Sequence, residues 1–445
     1  MAVMPDHIEG GDERTRRALV LHPTLKSPGP KATAADLRRR PEARLAEAVG
    51  LAAAIDLEVV HAEVVWLSAW RPATLIGSGK TEELAAWIAE HPVDVVIVDA
   101  AVTPVQQRNL ERALKAKVID RTGLILEIFG ARARTKEGRL QVELAHLNYQ
   151  RSRLVRSWTH LERQRGGFGF LGGPGESQLE IDRRLIGERI VRIKLDLEQV
   201  VNTRSLHRRA RQKVPYPVVA LVGYTNAGKS TLFNRLTEAE VLAKDLLFAT
   251  LDPTMRTVRL PSGRNVILSD TVGFISELPT HLVAAFRATL EEVISADLIL
   301  HVRDMSHPDC EAQAADVRDV LTSLGVTEDS GHRLLEAWNK ADQLDPEARE
   351  TLQNQAARQQ DAIVISALEG AGCDALLQRI DGMLGSDRVE LAVTLDAGDG
   401  AALAWLHRHG EVLDMQEQDG HLKLSVALSQ AEAGKWLKRQ EGQRA

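Results

Sequence analysis

Short apolar runs alternate with amphipathic stretches along the first 120 residues of the chain. The apolar runs predict buried strands at 18–22, 57–65, 93–99 and 118–120. Amphipathic stretches between them predict helices, one of which has Thr103 as its N-cap and Pro104 at its first position. Strand and helix alternation of this kind predicts a small parallel α/β subdomain over 18–120, after a disordered start at 1–17.

After Arg121 the pattern changes to two long stretches with apolar residues every three or four positions. A glycine-rich tip loop at 166–175 separates the stretches, so they predict a long antiparallel helical hairpin subdomain over 121–214. The hairpin contains nineteen Lys and Arg against nine Asp and Glu between Arg132 and Lys213, whereas the whole chain has a net charge of −6. One-signed charge on a projecting element favours contact with RNA over a merely solvated helix face.

A glycine-rich loop joins a predicted strand to a predicted helix near the middle of the chain. Its spelling, GYTNAGKST, fits the pattern GxxxxGK[ST] of a phosphate-binding loop, in which backbone N–H groups and a helix N-terminus bind phosphate oxygens. Lys229 can bridge the β- and γ-phosphates, and the hydroxyl of Ser230 can bind Mg²⁺. The residues assigned to this loop are Gly223, Tyr224, Thr225, Asn226, Ala227, Gly228, Lys229, Ser230 and Thr231.

Further segments downstream indicate which nucleotide is bound. The carboxylate of Asp342 can accept hydrogen bonds from N1–H and the 2-amino group of guanine, a donor pair that adenine lacks. Asp270 can hold a water of the Mg²⁺ shell, and the N–H of Gly273 can face the γ-phosphate. Thr250 is the expected second hydroxyl ligand of Mg²⁺, with Thr254 as the competing candidate. The residues assigned to these segments are Phe248, Ala249, Thr250, Leu251, Asp252, Asp270, Thr271, Val272, Gly273, Asn339, Lys340, Ala341, Asp342, Ser366, Ala367 and Leu368.

The candidate roles follow from these assignments. The candidate catalytic residues are Lys229, Thr250 and Gly273, and the candidate metal ligands are Ser230, Thr250 and Asp270.

Taken together, these spellings resemble those of a known family. GYTNAGKST, FATLDPT, DTVGF, NKAD and SAL look like the motifs of the HflX GTPases, although Met255 stands where a second threonine is more usual. The resemblance implies a GTP hydrolase that binds GTP and GDP, and a partner in the large ribosomal subunit with its rRNA. It also implies splitting or rescue of stalled ribosomes under stress, with the tip loop reaching toward the peptidyl transferase centre.

Two positions differ from the Ras-type GTPases. Phe274 follows Gly273, where Ras-like proteins carry the glutamine that orients the attacking water. Because an apolar ring cannot orient water, we expect slow intrinsic hydrolysis that the ribosome completes. Asn226 matches GTPases that use K⁺ near the β- and γ-phosphates, but it is equally compatible with a turn residue that bonds its own backbone.

Length and composition define the remaining expectations. A chain of 445 residues suggests about three domains, here with a GTPase domain at 215–385 and a small α+β domain at 386–445. The predicted fold class is therefore α/β and multidomain. The two cysteines form no metal-ligand pattern, and no apolar run approaches the roughly 20 residues that span a bilayer. These features predict a cytoplasmic protein with no integral membrane segment.

Two other functions stay open at this point. One is a GTP-gated assembly or scaffold factor on rRNA, and the other is an RNA-remodelling NTPase that also uses ATP. Asn339 and Asp342 argue against adenine in the main site. A second phosphate loop at 77–80 is not predicted, because that segment is too short and fits a turn that starts a helix.

Overall fold

The computed structural model describes most of the chain in separate stretches, and Thr250 and the tip loop at 166–175 lie outside them. The chain forms two compact units. The described residues are 16–27, 39–157, 178–211, 216–238, 248, 253–276, 287–327, 332–359, 361–385, 388–396, 398–418 and 420–444.

The first unit contains a four-stranded, fully parallel sheet with the strand order β2-β1-β3-β4. Its core packs Leu19 and Leu21 of the central strand against Val96 and Val98 of its neighbour. The strands are β1 (Arg17–Leu25), β2 (Glu58–Leu67), β3 (Val95–Val98) and β4 (Lys117–Asp120). The connecting helices are α1 (Pro41–Ala53), α2 (Ser78–Glu90) and α3 (Pro104–Leu114).

A buried charge cluster lies at the carboxyl edge of this sheet. Asp99, directly after β3, lies 2.8 Å from Nδ1 of His22 and 2.5 Å from Nη1 of Arg121. The other side of the Arg121 guanidinium pairs with Glu47 at 2.8 Å. Burial alone would raise the pKa of Asp99, but the charge of Arg121 and the hydrogen bond from His22 hold that pKa well below its usual range.

Three helices follow the sheet: α4 (Arg121–Arg132), α5 (Lys136–Ser157) and α6 (Gln178–Arg211). Asp120 caps α4 by accepting a 2.8 Å hydrogen bond from the N–H of Gly123. Arg189 of α6 pairs with Glu143 of α5 at 2.7 Å. With 34 residues, α6 spans about 51 Å at 1.5 Å per residue.

The second unit contains a six-stranded sheet with the order β10-β9-β8-β5-β7-β6, parallel except for the edge strand β6, which runs antiparallel to β7. Its central strand is almost entirely apolar, so it is buried on both faces. The strands are β5 (Val218–Val222), β6 (Thr254–Arg259), β7 (Asn265–Asp270), β8 (Leu298–Asp304), β9 (Arg333–Asn339) and β10 (Ala362–Val364). The helices are α7 (Lys229–Thr237), α8 (Arg287–Ile294), α9 (Cys310–Ser323), α10 (Pro346–Arg358) and α11 (Cys373–Gly385).

The last part of the second unit is a three-stranded antiparallel sheet with the order β11-β13-β12. Two helices cover one face of the sheet, and Trp436 lies in that core with 2% of its surface exposed. The strands are β11 (Arg388–Asp396), β12 (Gly410–Gln418) and β13 (His421–Ser429). The helices are α12 (Gly400–His409) and α13 (Gln430–Arg444).

The predicted multidomain α/β fold class is confirmed. Elements that the apolar pattern did not predict are α4, β6, α9 and α10. Among the described helices, none is long and apolar enough to cross a membrane.

Candidate nucleotide-binding site

The predicted phosphate-binding loop connects β5 to α7, as its spelling requires. Gly228 has a φ of +92°, and a Cβ on it would lie 2.2 Å from Nδ2 of Asn339. A Cβ on Gly223 would lie 2.2 Å from the carbonyl oxygen of Val302. Neither position leaves room for a side chain, so both require glycine.

Lys229 is the first residue of α7 and is buried. Its Nζ donates hydrogen bonds to the carbonyl oxygens of Gly223, at 3.1 Å, and Tyr224, at 2.8 Å. Burial lowers the pKa of Lys229 to about 8, and the negative charge of Asp270 acts in the opposite direction. The ammonium group is thus held under the loop, where it can reach a bound phosphate.

Two of the three predicted metal ligands lie next to each other. The hydroxyl of Ser230 donates a 2.7 Å hydrogen bond to Oδ2 of Asp270, the last residue of β7. Thr254, the competing candidate for the third ligand, is the first residue of β6 and lies opposite Asp270 in the strand register. Hydroxyl and carboxylate oxygens are ligands that Mg²⁺ prefers, so this donor set fits the ion.

Gly273 lies against the phosphate-binding loop. A Cβ on it would be 2.9 Å from Cα of Thr225 and 3.1 Å from Nζ of Lys229. The next residue, Phe274, exchanges two backbone hydrogen bonds with the loop: its N–H donates to Gly223 O at 3.0 Å, and its carbonyl accepts from the N–H of Thr225 at 2.8 Å. The Phe274 ring is only 3% exposed, so it belongs to the packed interior.

Asn339 joins three of the predicted segments. Its Nδ2 donates to the carbonyl oxygen of Ala227 at 2.8 Å, and its Oδ1 accepts from the N–H of Ala367 at 2.9 Å. The phosphate-binding loop, the Asn339–Asp342 segment and the Ser366–Leu368 segment are therefore connected through one buried amide.

In the rest of the Asn339–Asp342 segment, one side chain is held in an ion pair and another is not. Lys340 has a left-handed backbone with a φ of +65°, and its Nζ lies 2.7 Å from Oδ2 of Asp304. The half-buried carboxylate of Asp342 makes no hydrogen bond or ion pair with any residue that the structure describes. That carboxylate can therefore accept from a base.

The Ser366–Leu368 segment is held by hydrogen bonds at its first residue and is exposed at its last. The hydroxyl of Ser366 accepts from the N–H of Glu369 at 3.0 Å, whereas Leu368 is 67% exposed. Arg235 of α7 donates to the carbonyl of Ala367 at 3.1 Å and also to the carbonyl of Leu368.

Arg235 and Asp304 were not predicted as site residues. Neither residue belongs to one of the sequence motifs. Asp304 does end the apolar run of β8, and a polar residue at the carboxyl end of a parallel strand is a signal that could have identified it.

The segment from Phe248 to Asp252 is mostly outside the described residues, including Ala249, Leu251 and Asp252. Phe248 itself is 3% exposed and makes an edge-to-face contact with Phe129 of α4, with ring centroids 4.9 Å apart. Its assignment to the nucleotide site stays a prediction.

Family profiles match four successive stretches of the chain. They are described as "GTP-binding GTPase N-terminal" at 42–130, "GTP-binding GTPase Middle Region" at 132–211, "50S ribosome-binding GTPase" at 218–340 and "HflX C-terminal domain" at 351–445. The chain is also 54% identical over 391 residues to the GTPase HflX of Magnetococcus marinus, covering 88% of this chain and 89% of that one.

The chain belongs to the HflX family of GTPases. It is 44% identical over 358 residues to the GTPase HflX of Escherichia coli, covering 80% of this chain and 83% of that relative. Among solved structures, a GTP-binding protein from Sulfolobus solfataricus in complex with GDP has a TM-score of 0.45 and 22% identity, covering 83% of this chain and 98% of that one. As an HflX GTPase, the chain is an enzyme that binds and hydrolyses GTP, and the HflX resemblance of its motifs is confirmed.

Proposed function

We propose that this HflX GTPase binds the large ribosomal subunit in the cytoplasm, and that contact with the subunit stimulates its hydrolysis of GTP. Its GTP-bound form favours ribosome binding and splits or rescues stalled ribosomes under stress. The profile matched at 218–340 is described as a ribosome-binding GTPase, which supports a ribosomal partner.

The position of Phe274 carries the proposal. In Ras-type enzymes a glutamine at this position orients the attacking water, and a missing catalytic group can be supplied by a partner. Here the residue is an apolar ring that lies in the interior, with its backbone bonded to the phosphate-binding loop. The chain therefore offers no water-orienting side chain at this position, and a partner that supplies or orders one should accelerate the reaction.

The basic helices supply the second line of support. Residues 132–213 carry an excess of ten positive charges, and exposed basic side chains on the described part of α6 include Arg183, Arg192 and Lys194. Clustered lysine and arginine attract the phosphate backbone of nucleic acid with little regard to sequence. A ribosomal RNA surface is the partner whose chemistry fits.

We infer that the site works with Mg²⁺ held by Ser230, Asp270 and Thr250. When bound, the ion would stabilise negative charge that develops on the transferring phosphate. K⁺ is a further candidate near Asn226, which is exposed and has a left-handed backbone with a φ of +60°. Within the described residues, Asn226 makes no hydrogen bond that would mark it as a self-bonded turn residue.

The remaining assignments are part of the same proposal. Lys229 and the loop residues bind the β- and γ-phosphates, the N–H of Gly273 faces the γ-phosphate, and Asp342 reads guanine. The shared hydrogen bonds of Asn339 support this arrangement, because they bring the base-reading segments next to the phosphate-binding loop.

The decisive experiment measures GTP hydrolysis by the purified protein with and without large ribosomal subunits, in potassium and in sodium buffer. We expect strong stimulation by the subunits, and a lower rate in sodium if Asn226 helps to bind K⁺. Absence of stimulation with normal GTP binding would contradict the ribosomal part of the proposal and leave the GTPase assignment intact.

A scaffold role on rRNA is the second candidate, because the basic helices alone would support it. Comparing ribosome splitting with GTP and with a non-hydrolysable analogue separates the two. Splitting with GTP or the analogue supports the rescue function, and splitting with neither, despite tight binding, favours the scaffold.

A further inference from the structure

Lys340, in the Asn339–Asp342 segment, forms an ion pair with a residue that belongs to none of the sequence motifs. Nζ of Lys340 lies 2.7 Å from Oδ2 of Asp304, and the two side chains are 17% and 11% exposed. Asp304 precedes Lys340 by 36 positions, so the contact is made by the fold and not by the local sequence.

The carboxylate of Asp304 is itself held in place. Asp304 ends β8 opposite Asn339 of β9 in the parallel register, and the N–H of Met305 donates to the carbonyl of Asn339 at 3.0 Å. Oδ1 of Asp304 accepts from the N–H and the hydroxyl of Ser306, at 3.0 and 2.6 Å. One carboxylate oxygen is thus occupied by a turn, which directs the other toward Lys340.

We propose that Asp304 is a positioning residue for guanine recognition and acts through Lys340. The proposal rests on the role proposed above for Asn339–Asp342. A lysine side chain has large rotational freedom, and a fixed ammonium group removes much of it before the base arrives. Lys340 is then fixed at both ends, by its left-handed backbone and by the ion pair of its Nζ. Its apolar methylene groups would form a rigid surface against which the base packs.

A purely structural role of Asp304 predicts a different result. If the carboxylate only closes the turn at Ser306, its loss should weaken nucleotide binding whether or not Lys340 is present. If it acts through Lys340, its loss should have no effect once Lys340 is removed. A double-mutant cycle separates these two cases.

The experiment measures the dissociation constants of GTP and GDP, and single-turnover hydrolysis, without ribosomes. The variants are Asp304→Asn, Lys340→Ala and their combination. We expect Asp304→Asn to weaken both nucleotides about tenfold and to leave the saturated hydrolysis rate unchanged, because the interaction belongs to binding. In the Lys340→Ala background, the same substitution should cause no further loss. Additive losses, or unchanged or tighter binding in Asp304→Asn, would overturn the proposal.

Three further variants complete the test. Asp309→Asn is the matched control, since Asp309 lies at the other end of the same loop, is buried, and makes no side-chain cap to α9. Asp304→Glu retains the charge and should recover part of the affinity, which separates positioning from misfolding. Asp342→Asn tests the underlying assignment: unchanged GTP affinity there would contradict the guanine-reading role itself, whereas a loss there with none in Asp304→Asn would contradict only the inference about Asp304.

Discussion

At the scale of single residues, the buried carboxylate of Asp99 and the half-buried carboxylate of Glu336 are each surrounded by donors. Asp99 contacts His22 and Arg121, and Glu336 accepts from Nη1 of Arg303 at 2.8 Å and from Nε1 of Trp338 at 2.7 Å. A buried charge that keeps its partners is tolerated, whereas removing one partner leaves the other charge uncompensated. Both clusters should therefore be sensitive to single substitutions.

Asp99→Ala tests this for the first unit. Because Arg121 would lose a buried partner, we expect the local unfolding free energy of the β1–β3 region to fall by about 3–5 kcal/mol. Hydrogen–deuterium exchange of the full chain measures the change in peptides from β1 and β3. Glu83→Ala is the control, since the pair of Glu83 with Lys80 is exposed and should contribute under about 1 kcal/mol. Equal effects of the two substitutions would contradict the argument.

Asp99 should also make the stability of the first unit depend on pH. The pKa of Asp99 in the folded protein lies below its ordinary value of 3.8, so its stabilising effect is complete above that value and is lost as pH falls through the folded pKa. The difference in protection between the wild type and Asp99→Ala should shrink as the pH falls below about 4. Protection factors corrected for intrinsic exchange measure it, and a constant difference at acid pH would exclude this residue as the cause.

At the scale of elements, parallel strands bring residues that are distant in sequence to one edge of the sheet. Helix α7 begins with Lys229, the proposed phosphate-binding lysine, and carries Arg235 near its other end. Arg235 donates hydrogen bonds to two carbonyls of the Ser366–Leu368 segment. One helix therefore connects the predicted phosphate-binding loop to the predicted guanine-contacting segment.

Arg235→Ala should loosen that connection. A hydrogen bond to a charged group stabilises a structure by roughly 1.5–3 kcal/mol. We therefore expect the dissociation constants of GTP and GDP to rise on the order of tenfold. Stopped-flow release of a fluorescent guanine nucleotide should show the change mainly as faster dissociation. Arg358→Ala, at the exposed end of α10, is the control. An unchanged release rate in Arg235→Ala would show that α7 does not support the Ser366–Leu368 segment.

Most elements around the motifs could be predicted, because apolar strands next to glycine and N-cap residues have clear patterns. Helix α4 was missed because Leu124–Phe129 is buried almost throughout, so it lacks the polar face by which a helix is recognised. Strand β6 was missed because its alternation is weak and its pairing with β7 is non-local. The Asp304–Lys340 pair depends on strand register, which the sequence pattern does not show.

At the scale of the whole molecule, charge is unevenly distributed. Residues 132–213 are strongly basic within a chain whose net charge is −6, so the remainder is acidic. Separation of this kind favours one orientation toward a polyanion and speeds encounter with it.

Neutralising Arg183, Arg192 and Lys194 to glutamine tests the basic surface of α6. We expect weaker binding to large ribosomal subunits and a salt dependence whose slope falls by about one unit for each phosphate that is no longer neutralised. Binding measured over a series of salt concentrations gives that slope. Glu198→Gln on the same helix should not weaken binding, and a triple variant with unchanged affinity and slope would place the RNA-binding surface elsewhere.

The inward position of Phe274 has a consequence for attempts to re-engineer this enzyme. Aligning it with Ras-type proteins suggests that replacing this phenylalanine with glutamine would restore self-sufficient catalysis. The side chain at this position is buried, so the new amide would be removed from solvent and would need a hydrogen-bond partner within the protein. Hydrolysis without a partner would require redirecting the backbone that follows Gly273. The proposed dependence on an outside activator would therefore arise from main-chain geometry more than from the choice of side chain.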